Sequence, residues 1–289
     1  MKNSKEFYES VTNNIIDYYN KNNRLPWVRP WSNSNSGFNI SFTTKKEYQG
    51  INQIILMMSP YESNKWNTFN NWKNLGFHLK KKSKGTPICY FQMNKVVDKK
   101  TDEESFYPML KKYYVYNAEQ IENNSTLIDK PKPKNKILPI DEIDSYVKNT
   151  NAKIVEHVTN EAFYRPFTDS IHISNINQFK SSYDYYATLL HELTHWTMHE
   201  SRCNRKSSNR FKSVGYAYEE LIAEIGSTFL CNQFKMDSAS HTHLQNHVNY
   251  ISSWLQALKD DPKFIFKAAA ESQKAVNFLN SFQQIVKAA

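Results

Sequence analysis

Two histidines, the glutamate between them and a later group of glutamates are the residues of this sequence best suited to chemistry. The run His191-Glu192-Leu193-Thr194-His195 has the HExxH spacing. On a helix that spacing sets both imidazoles on one face, where they can share one Zn²⁺. Glu192 can then reach a water on that ion and act as general base. A hydrolytic zinc site also needs a third protein ligand and a position left for water. The segment from Tyr216 to Leu230 offers Glu219, Glu220 and Glu224 as carboxylates. Glu220 is assigned as the third ligand, with Glu219 as its rival, because sequence alone does not fix the rotation of a helix. Glu224 lies between Ala223 and Ile225 in an apolar run, and a carboxylate buried there needs a partner. Accepting the free ring N–H of a ligand histidine would supply one and fix the tautomer. The competing reading is plainer: HExxH strings arise by chance, and such histidines can satisfy hydrogen bonds inside a buried helix. The second acidic helix favours the metal.

Particular elements must hold these groups. Tyr186, Leu189, Leu190, Leu193 and Trp196 recur at spacings of three and four, predicting a helix through the HExxH run. Leu221, Ile225, Phe229 and Leu230 give the second helix its packing stripe. Short strands are expected at 153–156 and 171–174, with Phe163-Tyr164-Arg165-Pro166 beside them. This small sheet is expected above the cleft, where its edge can pair with an extended peptide and Tyr164 or Arg165 can touch substrate. Later helices are expected over 241–259 and 262–285. His247 and Tyr250 on the first are candidate donors to a tetrahedral intermediate, against a capping or surface role.

Charge divides the chain. Of 289 residues with net charge +9, residues 1–136 hold 22 Lys/Arg against 12 Asp/Glu, whereas residues 137–289 hold 15 against 16. A basic first part and a neutral second part suggest a polyanion surface on one module and the reaction on the other. In the first part a helix is expected over Lys5 to Tyr19, followed by Trp27, Arg29 and Trp31 among prolines. The tryptophans are either platforms for unpaired bases or seals over a small core. A helix from Trp66 to Leu75 is expected to be capped by Thr68, with Phe69, Trp72 and Leu75 inward. Lys80, Lys81, Lys82 and Lys84 then precede a strand bearing Tyr90, a pattern that can lay lysines on phosphates and a ring on a base. An aromatic strand follows over 106–117. The Pro/Lys-rich stretch from Glu119 to Pro139 reads as a stiff linker. The fold class is α+β, with domains at 1–130 and 131–289. Cys89, Cys203 and Cys231 lack CxxC spacing, which argues against a disulfide scaffold. No apolar run reaches 18 residues and the start lacks a secretory pattern, so a cytoplasmic protein without a membrane span is expected.

The motifs together resemble the ArdC-type antirestriction proteins of plasmids and phages. The resemblance rests on Pro26-Trp27, Pro30-Trp31, Tyr48 to Asn52, Trp66 to Phe69, Lys84-Gly85-Thr86, Phe163 to Pro166, Tyr185 to Trp196, Tyr216 to Gly226 and Tyr250 to Leu255. It implies a single-stranded-DNA-binding domain, then a zincin-like metallopeptidase domain with a small sheet and several helices. It also implies zinc on His191, His195 and a glutamate of the second helix, and protection of incoming DNA from restriction. Lys82 departs from the pattern, where glycine is usual. The function expected is a zinc metallopeptidase with single-stranded DNA and a protein substrate as partners, a restriction enzyme being one candidate. The rival is a DNA-binding protection protein with a structural or vestigial zinc site, including an effector that works in a host-cell cytoplasm.

Overall fold

The computed structural model describes residues 2–28, 37–97, 104–128, 140–158, 161–205, 214–236 and 248–288. Helix α1 (Lys2–Asn22) stops where Asn23 turns left-handed at φ 51° and its N–H returns to the Tyr19 carbonyl at 2.7 Å. Helix α2 (Ile51–Met57) buries Ile51, Gln53, Ile54, Ile55, Leu56 and Met57, as a core helix does.

The first sheet contains β1 (Ile40–Ser41), β2 (Lys65–Thr68), β3 (Thr86–Val97) and β4 (Glu104–Asn117), in the order β1-β2-β4-β3. Strands β1 and β2 are parallel, and the other pairings are antiparallel. The helix expected from Trp66 begins later, because Trp66, Asn67 and Thr68 pair with Asn117, Tyr116 and Val115 of β4. Helix α3 (Phe69–Asn74) then starts on the expected cap, the Thr68 hydroxyl accepting from Asn71 N–H at 3.3 Å. With so few residues it buries Trp72 but leaves Phe69 and Leu75 half exposed, not inward.

Helix α4 (Ile140–Asn149) leads into β5 (Lys153–His157), β6 (Phe163–Arg165) and β7 (Ser170–Ser174). Their order is β5-β7-β6, with β5 parallel and β6 antiparallel to the central strand. Ile171 and Ile173 are fully buried, and the sheet packs on helix α5 (Ser182–Trp196). Helices α6 (Val214–Gln233), α7 (Val248–Asp260) and α8 (Phe264–Ala288) complete the described chain, α6 packing on both α5 and α8. The sheets and helices make the architecture α+β, as expected.

The hydrophobic core runs across the position expected to divide two domains. Tyr8 of α1 meets Phe266 of α8 edge-on at 4.6 Å, and the Thr12 hydroxyl donates to the Pro262 carbonyl at 3.1 Å. The Thr228 hydroxyl of α6 donates to the Trp27 carbonyl at 3.0 Å. The N-terminal segment is thus packed against α6, which carries the acidic cluster, and against the start of α8. Most of the expected linker lies outside the described residues.

Candidate metal centre

Helix α5 starts firmly. The Ser181 hydroxyl accepts from Asp184 N–H at 3.1 Å, and Asp184 adds a negative charge to the first turn. Its HExxH run is almost entirely withdrawn from water; His191, Glu192 and His195 are buried and Thr194 is fully so. Helix α6 crosses it closely because Gly226 lies against Thr194. A Cβ built on Gly226 would stand 2.6 Å from the Thr194 methyl. Nearby, the Ser227 hydroxyl donates to the Ala187 carbonyl at 3.1 Å, fixing the same crossing. Helix α6 ends in a reverse turn with Lys235 at φ 52° and Met236 N–H on the Cys231 carbonyl at 2.9 Å.

This crossing brings three side chains together. The Nε2 atoms of His191 and His195 stand 3.1 Å apart. One Glu220 oxygen lies 3.7 Å from His191 Nε2 and the other 3.6 Å from His195 Nε2. Ligand atoms about 2.1 Å from a tetrahedral ion are separated by about 3.4 Å, so the spacing and the two-imidazole, one-carboxylate donor set fit a divalent cation. These are the residues, among those described, whose ligand atoms form a possible metal-holding group. The electrostatics agree. Burial alone would lower the His191 pKa, yet the Glu220 and Glu224 carboxylates, with Glu192 beside them, hold it well above the ordinary value. The pocket favours positive charge.

The Nδ1 atoms face other carboxylates. Glu224 Oε2 is 3.6 Å from His191 Nδ1, and Glu219 Oε1 is 3.3 Å from His195 Nδ1. Glu219, the rival ligand, therefore faces the back of His195, while Glu220 faces the Nε2 pair. Arg205, which the sequence reading did not single out, donates to both Glu219 oxygens, at 2.7 and 3.0 Å. Burial opposes ionisation of Glu219, but His195 and Arg205 together hold its carboxyl below the ordinary value. Tyr216, also missed, lies one turn before Glu220. Burial, the Glu220 charge and hydrogen bonds with Tyr250 and Glu220 hold its hydroxyl above the ordinary phenol range. The spacing Tyr216/Glu220/Glu224 along one helix face is the signal that could have found it.

Other expected site residues are placed differently. Tyr164 is buried, and its hydroxyl donates to Asp169 at 2.8 Å while accepting from Arg202 at 3.2 Å. Its hydroxyl is thus engaged by groups of the fold on both sides. Tyr250 does approach the metal-holding group, its ring 5.9 Å from that of Tyr216. His247, Arg29 and Trp31 lie outside the described residues. Trp27 is 2% exposed and packed in the core, so the core-sealing alternative describes it and the base-platform reading does not. Lys80, Lys81, Lys82 and Lys84 are exposed on the turn before β3, with Lys80 Nζ donating to the Glu119 carbonyl at 2.7 Å. Lys82 holds φ 64°, keeping the turn in a conformation that favours glycine. Tyr90 is half exposed on β3, and so are Phe91 and Met93. Tyr114 is half exposed on β4, with the Lys112 ammonium 5.7 Å above its ring. By the register Phe91, Met93, Lys112 and Tyr114 share one face of the hairpin, an apolar and basic surface the sequence reading saw only in part. Among the described residues no helix is long and apolar enough to cross a membrane.

Residues 5–116 match the family described as the N-terminal domain of anti-restriction factor ArdC, and residues 141–271 match a zincin-like metallopeptidase family. DNA primase TraC of Escherichia coli is 36% identical over 97% of this chain, which spans 27% of that primase's length. The metal-free crystal structure of antirestriction ArdC protein from the R388 plasmid is 35% identical, with a TM-score of 0.80 over 95% of this chain and 97% of that one. Its Mn(II)-bound structure gives 34% identity and a TM-score of 0.77 over the same shares. With an ArdC-type N-terminal region, a zincin-like region and this likeness along nearly the whole of both chains, the protein belongs to the ArdC-type antirestriction family.

Proposed function

We propose that the chain is a zinc-dependent peptidase whose N-terminal part, meeting the catalytic part near residue 130, binds single-stranded DNA. The observation that carries the reading is the convergence of His191 Nε2, His195 Nε2 and the Glu220 carboxylate from two crossing helices. The R388 relative has an Mn(II)-bound structure, which supports a divalent ion here, and a donor set of two imidazoles and one carboxylate suits zinc. When bound, such an ion supplies Lewis acidity toward a peptide carbonyl and acidifies water. Glu192 accepts the proton of the attacking water and delivers it to the leaving nitrogen. Glu224 receives the Nδ1–H of His191 and keeps that ring in the ligating tautomer. Tyr250, reaching Glu220 through Tyr216, is assigned as a donor to the oxygen that gains charge during attack.

The DNA reading rests on the basic first part, on the hairpin face of Phe91, Met93, Lys112 and Tyr114, on Tyr90 of the opposite face, and on the four-lysine turn before β3. Rings stack on unpaired bases and lysines follow the phosphates. A protein involved in restriction is the substrate class that fits the family.

The test is Glu192→Gln, profiled for cleavage in a cell extract alongside metal content and single-stranded-DNA affinity. Hydrolysis is expected to fall by about 10²–10⁴-fold with metal and DNA binding retained. Unchanged cleavage in the metal-loaded variant would remove Glu192 from the mechanism. Intact antirestriction with no cleavage by either protein would favour a protection protein instead.

A further inference from the structure

The two histidines of the metal-holding group are braced unequally. Behind His191, Glu224 stands 3.6 Å from Nδ1 and comes from the same α6 face as Glu220. Behind His195, Glu219 is closer, at 3.3 Å, and is itself gripped from the far side by Arg205. The guanidinium reaches Glu219 Oε1 through Nη2 at 2.7 Å and Oε2 through Nε at 3.0 Å, a two-point clamp. The same group donates through Nη1 to the Thr197 hydroxyl at 2.8 Å and through Nη2 to the Thr194 carbonyl at 3.1 Å. Arg205 N–H is bonded to the Met198 carbonyl at 2.9 Å. Both partners are withdrawn from water, with side chains 6% and 7% exposed. One arginine thus joins the last turn of the helix bearing His195 to a carboxylate on the helix bearing Glu220.

We propose that Arg205 is a positioning residue for the metal site: by fixing both oxygens of Glu219 it turns His195 so that Nε2 faces Glu220, and it keeps Glu219 from serving as a ligand. The inference rests on the metal reading above. Its physical basis is geometric. Two adjacent glutamates on one helix can compete for an ion, and a carboxylate with both oxygens engaged by a rigid fork cannot swing round to it. A lysine could place a charge there, but its three donors cannot reproduce the four contacts the guanidinium makes to both Glu219 oxygens, Thr197 and Thr194.

The experiment uses the full chain with Co²⁺ as probe, read by chelator competition and by the visible absorption of the bound ion. The variants are Arg205→Met, Arg205→Lys and Glu219→Gln, with Arg202→Met as control. Arg202 lies on the same connector, stacks on Trp196 at 3.9 Å, donates to the Trp196 carbonyl at 2.6 Å and pairs with Asp169, without bonding either histidine or its carboxylate partners. Arg205→Met and Glu219→Gln are expected to weaken Co²⁺ binding about 10–100-fold and to alter the absorption band. Arg205→Lys should recover part of the loss, and Arg202→Met should change affinity less than about two-fold despite its loss of stability. Glu219→Gln keeps the shape of the side chain and reads the clamp even if Arg205→Met fails to fold. The proposal is overturned if folded Arg205 and Glu219 variants bind Co²⁺ as the parent does. It is equally overturned if Arg202→Met weakens binding as much, since the effect would then be general loosening. Failure of the parent protein to bind Co²⁺ at all would instead sink the metal reading.

Discussion

Replacing Gly226 with alanine would drive a methyl group into Thr194 at the crossing of α5 and α6. The new Cβ would stand 2.6 Å from Thr194 Cγ2 and 3.1 Å from Oγ1. Ordinary contact begins near 3.4 Å, so the helices must part by roughly 1 Å or Thr194 must rotate. Rotation is opposed because Thr194 is fully buried and its hydroxyl donates to the Leu190 carbonyl at 2.8 Å. Overpacking of this kind costs about 1–3 kcal/mol, while alanine in place of glycine returns up to about 1 kcal/mol of helix propensity. The 2.6 Å approach puts this site toward the upper part of that range, so a net loss of roughly 1–2 kcal/mol follows, lowering the unfolding midpoint of a 289-residue chain by about 2–3 °C. Glu220 is carried by the displaced helix, so metal affinity should fall by at least about 10-fold alongside. The assay is thermal unfolding with chelator competition, on Gly226→Ala alone and combined with Thr194→Ser, which removes the clashing methyl. Partial recovery in the double variant is expected, as for residues in direct contact. A Gly226→Ala protein that melts no lower and binds metal equally would refute the reasoning. So would a double variant whose losses merely add.

Three further outcomes are expected. Lys82→Gly should raise the unfolding midpoint slightly, because relief of a left-handed lysine at φ 64° gains about 1 kcal/mol and glycine's greater unfolded freedom returns part of it; a lower midpoint would contradict this. The Asp169 pKa is depressed by its hydrogen bond from Arg202, which outweighs burial, so the stability it contributes is present above the ordinary carboxylate pKa and is lost as pH falls through the lower folded value. Asp169→Asn should melt lower than the parent at neutral pH and show a shallower decline between about pH 5 and 3, whereas parallel curves would rule the linkage out. Phe91→Ala with Tyr114→Ala should weaken single-stranded-DNA binding by about 1–3 kcal/mol per stacked base with little effect on melting, measured by fluorescence anisotropy across a salt series. Undiminished affinity would move the interface elsewhere.

The parts of this molecule that the sequence makes legible are those set within one helix. His191, Glu192 and His195 are spaced by helical geometry alone, and the apolar stripe around them marks the buried face. Glu220 against Glu219 is different, since rotation of α6 depends on Gly226 meeting Thr194 and on Arg205 holding Glu219, contacts between distant segments. Arg205 itself sits in a basic connector where nothing local separates a buried clamp from a solvated charge. The same holds for Trp27, whose burial comes from helices far along the chain. Charge asymmetry divides the surface at about residue 130, but charge says nothing of which faces are buried, and the core continues past that point. Trp66 to Thr68 read as helix because the pairing that extends them lies on β4, dozens of residues away.

The most direct test of the account is a crystal structure of the zinc-soaked protein with anomalous scattering recorded at the zinc edge. One strong peak per chain is expected, about 2.0–2.2 Å from His191 Nε2, His195 Nε2 and a Glu220 oxygen, with Glu219 still on Arg205. A peak ligated by Glu219 in place of Glu220, or no peak between the two histidines, would contradict it.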